Sequence, residues 1–501
     1  MKTKSNIDWL SFLATIVIIF LVCIPLALFP DSGGKILLDT YNWISSKLGF
    51  MYLACGSASL VFVLWLGLGR FGNVRLGLEG EEPDFNLRSW AAMLFCAGIG
   101  AGLLAWAPIE WGYYLDAPPF GVEARSPSAA EWASTYGIFH WGITAWALYC
   151  LPSIAIAYSY YVKRTRSLRF AHSCLYLLRG REDHPGGRIL DWLFMIGILG
   201  GAGSSLGFST PMIAGLLARL TGIEADFTLD FTVIMVSVAL FATSVWLGLK
   251  RGIKRLSVFN MWLAFVLLVY ILAVGPTRFL LDTSVNSIGL MLQNFIRMNT
   301  WTGAFTEATF VKNWTIFYWA WWIAYGPFVG LFVTRISKGR SIREMVFGML
   351  GFGTLGCAVF FMTVGNYGLY LELMGIAPVS QTLAAEGAPN AIGMILGALP
   401  LGGLFVAAYA LVGLIFSVTT YDSASYTLAS SATRELPAGS DPERWHRVFW
   451  ACALAIMPLT LMFIGGLKVV QTATLVVSLP LVFVSVAMAW SLTRQLQLDH
   501  R

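Results

Sequence analysis

The sequence predicts an all-α membrane protein with twelve transmembrane helices, and three observations carry that prediction. Of the 501 residues, 57% are hydrophobic and only 12% charged, against roughly 25% charged in an ordinary soluble domain. Apolar stretches of about 20 residues, enough to cross a bilayer, recur from end to end and leave no separate soluble domain. Two of these stretches, the third and the eighth, are interrupted by glycine and proline at comparable places, which divides the chain into two matching halves.

Taken in order, helices are expected near 8–29, 49–69, 89–114, 135–162, 189–218, 228–249, 256–275, 313–334, 345–367, 399–421, 446–466 and 469–491. The first is too long for the apolar core of a signal peptide and lacks a small-residue cleavage site, so it reads as a retained helix. Roughly three quarters of the 33 lysines and arginines fall in the N-terminus, the even-numbered loops and the C-terminus. That asymmetry places both termini in the cytoplasm. The strongest anchors are Lys163-Arg164-Thr165-Arg166, Lys250-Arg251 with Lys254-Arg255, and Arg335 through Arg343. They account for the net charge of +6 as topology, with no nucleic-acid partner. Residues 278–298 mix apolar and polar side chains as an amphipathic helix on the membrane surface does. The tails are too short for a sensing domain. Seven scattered cysteines and five scattered histidines show neither a disulfide framework nor metal-ligand spacing.

The third stretch contains Gly98-Ile99-Gly100-Ala101-Gly102 and then Pro108; the eighth contains Gly326-Pro327 and Gly330. In a bilayer, backbone freed by such residues is tolerated only where protein or a water-lined cavity satisfies it. Interrupted helices in corresponding places point to a binding site, with the glycines Gly98, Gly100 and Gly102 at its edge. The alternative is that these glycines serve close helix packing.

Beside the second interruption, Tyr318, Trp321, Trp322 and Tyr325 recur at helical spacing and form one stripe. Stacked ring faces attract a cation that has no N–H to donate, at about 0.5–2 kcal/mol per desolvated contact. The stripe therefore reads as a cage for a quaternary ammonium group. In the fourth stretch, Trp141, Trp146 and Tyr149 lie within an arc of about 140° on a helix and can face the same cavity. Glu110 and Asp422 are the carboxylates expected within the membrane, where such groups are paired or functional.

Near the end of the tenth stretch the chain reads Phe416-Ser417-Val418-Thr419-Thr420-Tyr421-Asp422-Ser423. Neighbouring hydroxyls with freed carbonyls suit sodium, but the same hydroxyls can instead bond back to their own helix. A membrane enzyme would need a polar catalytic cluster, and the sequence displays none.

The run NWTIFYWAWW, continuing to PFVGLFVTRISKGRSIRE, closely resembles the signature of the betaine/choline/carnitine transporters. The resemblance extends through GxGxG in the third stretch, IFHWGITAW in the fourth and VTTYDSASYTLAS in the tenth. It implies an amino-acid-transporter-like fold with a five-plus-five inverted repeat, a homotrimer in the lipid of the bacterial inner membrane, and an onium substrate. The segments would then be 1–87 (two helices outside the repeat), 88–275 (first repeat), 276–312 (surface helix and connector), 313–491 (inverted repeat) and 492–501 (tail).

By position, Trp141, Trp146, Tyr149, Trp321 and Trp322 match the family's aromatic box, and Tyr113 and Tyr114 border the expected site. Tyr325 stands where sodium-coupled betaine symporters have tryptophan and the carnitine antiporter has tyrosine. Asn260 replaces the arginine that serves the antiporter in place of sodium, and Val329 replaces its methionine. Thr419 and Thr420 match a hydroxyl pair that binds sodium, with Phe416 and, from the third stretch, Ala97 and Gly100 near the expected carbonyls. The second sodium site looks depleted, because Gly200-Gly201-Ala202-Gly203-Ser204 lacks its threonines. The expectation is thus a sodium-coupled importer of a glycine betaine, carnitine or choline type compound, with sodium as coupling ion and no organic cofactor. The alternative is sodium-independent exchange of the carnitine type.

Overall fold

The computed structural model describes residues 6–78, 80–165, 169–247, 250–436, 441–464 and 467–500. Arg166 lies outside the described residues, as do the side chains of Lys250, Arg251 and Lys254. Among the described residues the chain is helical throughout, with two isolated β-bridges, Ile7 to Thr433 and Arg75 to Ser341. Eleven helices there are long and apolar enough to cross a membrane.

The third expected span is absent from those eleven because the glycine run and then the stretch around Pro108 break it into Leu87–Ala97, Ala101–Trp106 and Glu110–Asp116. Asn86 caps the first piece by accepting from the Ser89 amide at 2.9 Å. Gly98 ends it, and Gly100 is extended (φ −143°, ψ 173°) before helix resumes. The eighth span differs from expectation. Ile316–Ile336, the aromatic helix, runs unbroken through Gly326-Pro327. A Cβ at Gly326 would lie 3.3 Å from the Leu148 carbonyl oxygen, and one at Gly330 3.2 Å from the Ser153 amide. These glycines let the aromatic helix lie directly on Ile143–Ala157, so here the packing alternative wins over the break.

A break that the sequence reading missed lies in the fourth span. Pro127–His140 ends at Trp141, and Ile143–Ala157 begins after Gly142. Trp141 therefore sits at a kink, and not on one continuous helix with Trp146 and Tyr149. Among the described residues, the helices Pro30–Lys47, Leu175–Leu178, Val379–Ala385 and Ala388–Gly397 were also missed. The expected amphipathic helix is present as Thr277–Thr300. Asp226 caps Phe227–Trp246, and a Ser341–Glu344 capping box starts the ninth span, Ile342–Leu373. Gly402–Ser431, the hydroxyl helix, carries Thr419 and Thr420.

Candidate functional site

Two cavities meet inside the bundle. The inner one, about 60 Å³, is lined by Trp141, Trp146, Tyr149, Trp321, Trp322 and Tyr325 together with Gly98, Gly100 and Gly102. Trp321 and Trp322 stack at 4.8 Å with their planes 13° apart. Trp141 meets Trp322 edge-on at 4.7 Å, and Tyr149 does so at 5.8 Å. The rings are fixed by their polar atoms: Trp322 Nε1 donates to the His140 carbonyl at 2.8 Å and Trp321 Nε1 to the Gly201 carbonyl at 3.1 Å. Among the described residues, no charged side chain lines this inner cavity.

Tyr318 and Tyr114 are corrections to the expected site. Both are fully buried, and neither lines the cavity. Their hydroxyls donate instead to Glu110, Tyr114 to Oε1 and Tyr318 to Oε2, each at 2.5 Å. Trp141 Nε1 adds a third bond to Oε2 at 3.1 Å. His140 continues the cluster, with Nδ1 2.9 Å from the Tyr114 hydroxyl and Nε2 3.1 Å from Thr315 Oγ1. Tyr113 also stays away from the cavity, packing on Trp314 and Trp106. The helical period put Tyr318 on the stripe correctly. Only the tertiary partner, Glu110, explains why its ring turns its polar end away.

Ser205, Cys357, Ala145 and Leu103 line the cavity and were missed. Cys357 points its thiol at the Gly98 carbonyl, 3.1 Å away, which holds the unwound segment. A scattered cysteine carries no sequence signal for that task. Gly353 was missed as well. A Cβ there would come 2.3 Å from Trp146 Cδ2, so this glycine makes room for the indole.

The outer cavity is an open vestibule of about 1160 Å³. It shares Ala97, Gly100, Tyr325 and Val329 with the inner one, so these four residues stand at the boundary between the two. Phe416, Thr419 and Thr420 also line the vestibule, so the expected sodium ligands face one space. Both threonine hydroxyls donate to the Phe416 carbonyl at 2.9 Å, the helix back-bonding alternative. Arg335, Arg444 and Arg447 line it together with Asp422, Asp441 and Glu443, and Arg447 pairs with Asp422 at 2.5 Å. Asn260 is buried, and its amide nitrogen donates to the Val412 carbonyl at 3.2 Å. In the glycine-rich stretch, Ser204 Oγ donates to the Gly200 carbonyl at 2.7 Å.

The profile of the betaine/carnitine/choline family transporters matches residues 10–501. An uncharacterized transporter of Escherichia coli K12, YeaV, is 37% identical over 439 residues, covering 87% of this chain and 91% of the relative. A carnitine transporter of Acinetobacter baumannii is 32% identical over 500 residues, covering all of this chain and 90% of the relative.

Proposed function

This chain belongs to the betaine/carnitine/choline transporter family, and from that premise we propose that it imports a quaternary ammonium or related onium compound by sodium symport. The observation that carries the reading is the inner cavity, walled by six aromatic rings and lined by no charged side chain among the described residues. Such a cavity favours a cation that brings no N–H of its own, because an ammonium would arrive with donors left unpaired. Family and relatives are transporters and not enzymes.

In this reading the pieces around Gly98–Gly100 are one interrupted span, which brings the eleven long helices to twelve. Residues 88–275 and 313–491 are inverted repeats, and three copies assemble in the bacterial inner membrane. The vestibule lining includes Arg335, Arg444 and Arg447, and an excess of basic residues on the cytoplasmic side supports reading the vestibule as open to the cytoplasm. Thr419 and Thr420 spend their protons on the Phe416 carbonyl and leave oxygen lone pairs for sodium. Asn260 supports sodium coupling, since no fixed positive charge occupies that position. A second reading, sodium-independent exchange, is favoured by Tyr325, the residue that the carnitine antiporter carries at this position.

Uptake of labelled glycine betaine, carnitine and choline into proteoliposomes separates the two. Symport predicts accumulation that requires an inward sodium gradient, with sodium activation weakened in Thr420→Ala. Uptake that ignores sodium but requires an internal onium compound selects exchange.

A further inference from the structure

We propose that Glu110, which no substrate atom in the inner cavity can touch directly, is the specificity-determining charge of the cage. It would act through Trp141, and the inference rests on the onium reading of that cavity.

The argument starts from hydrogen-bond accounting. Glu110 is fully buried, and its two oxygens receive three donors: the Tyr114 hydroxyl, the Tyr318 hydroxyl and the Trp141 indole N–H. An ionised carboxylate, which only accepts, satisfies all three. The rest of the cluster closes consistently. With Tyr114 donating to Glu110, its oxygen accepts from His140 Nδ1–H, and His140 Nε2 accepts from the Thr315 hydroxyl. This tautomer is assigned from the network, and it leaves the imidazole neutral and the cluster with one negative charge. Among the described residues, the ion-pair partner in reach of Glu110 is that imidazole, at 3.6 Å. Asp422, by contrast, is neutralised by Arg447.

A buried carboxylate without a cationic partner is expensive, and apolar packing would hold these helices at lower cost. Its place in the molecule says what the charge does. Trp141 lies between Glu110 and the cavity: its N–H binds the carboxylate, while its ring meets Trp322 at 4.7 Å and Trp321 at 5.7 Å. Donation to an anion pushes electron density into the indole, and hydrogen-bonded groups in a low-dielectric interior polarise one another. The ring face offered to the substrate becomes more negative. Tyr318, stacked near Trp321 and Trp322 at 6.2 and 5.7 Å, is polarised in the same way from behind. The carboxylate's own field adds to this in a site where water does not screen it. The cage thus discriminates by charge as well as by shape.

The test compares binding of carnitine, glycine betaine and choline with isosteres in which a quaternary carbon replaces the nitrogen. It is read by tryptophan fluorescence on the purified full chain. The wild type should prefer the onium compound it binds over the isostere of identical shape. Glu110→Gln should reduce that preference at least tenfold while changing isostere affinity by less than about threefold. A preference kept within twofold in folded Glu110→Gln would overturn the inference and leave the cage intact. Absence of any preference in the wild type would instead overturn the onium reading itself. Should Glu110→Gln fail to fold, Trp141→Phe keeps a ring and deletes the N–H donor. It must lose part of the same preference, and an unchanged ratio there refutes the coupling.

Discussion

Trp322 gives the most direct measure of the cage, because it touches three of the other rings and its indole nitrogen is already anchored. Trp321 stacks on it at 4.8 Å, Trp141 meets it at 4.7 Å, and Tyr149 at 5.8 Å. Removing its face by Trp322→Ala deletes one desolvated cation–π contact, about 2 kcal/mol. Since each 1.4 kcal/mol is tenfold, Kd for the onium substrate should rise about 30-fold. Truncation also opens a cavity in the ring cluster, at about 3–5 kcal/mol of stability, so affinity must be measured on protein shown to be folded. Trp322→Phe separates the two effects. It retains a ring but loses the Nε1 bond to the His140 carbonyl at 2.8 Å, which leaves a buried acceptor unpaired at about 1–3 kcal/mol. That variant should lose thermal stability while Kd rises only about three- to fivefold, as expected of the weaker phenyl face. Isothermal titration in detergent, paired with thermal unfolding, reads both quantities. A folded Trp322→Ala protein with Kd within twofold of wild type would refute the cage.

Two further outcomes follow from local geometry. Gly98→Ala would place a Cβ 2.7 Å from the Gly353 carbonyl oxygen and 3.2 Å from Trp146, whereas a Cβ at Gly100 meets nothing within 4 Å. Gly98→Ala should lower the melting temperature and weaken binding at least tenfold, while Gly100→Ala keeps stability within about 0.5 kcal/mol; thermal unfolding that ranks them in the opposite order would contradict the broken-helix geometry. Outside the membrane, Lys338 pairs with Glu81 at 2.5 Å beside a backbone ladder in which Leu76 and Arg340 bond at 2.8 Å. The hydrogen bond from Lys338, and after it the Leu78 amide, hold the Glu81 carboxyl below its ordinary value of 4.5. A depressed pKa means the contact is fully present above that ordinary value and is lost as pH falls through the depressed one. Hydrogen-exchange protection of these two loops, corrected for intrinsic rate, should therefore step down only below the ordinary range, and the step should vanish in Glu81→Gln.

Much of the site was legible in the chain because two of its ingredients are local. Helical period places Trp321, Trp322 and Tyr325 on one face whatever they pack against. The glycine run from Gly98 to Gly102 weakens helix wherever it stands. The same rule misled at Gly326-Pro327. Whether glycine and proline break a helix or let it pack closely depends on the neighbour, here Ile143–Ala157, and the residues alone do not specify that neighbour. Tyr114 and Tyr318 were misplaced for the same reason: a ring beside a cage and a ring behind it share one sequence signature.

The sequence by itself determined that this protein lives in a membrane, that its third span is interrupted, and that it gathers aromatic faces suited to an onium head. Those are properties of composition, hydropathy and period. Only the tertiary structure decided which rings face the cavity and which turn to Glu110, that Cys357 and Gly353 shape the site, and that Thr419 and Thr420 open onto a vestibule bordering the cage. Each of these depends on a contact between helices distant in sequence. A single strand of residues carries its own periodicity, but not the identity of what will be packed against it.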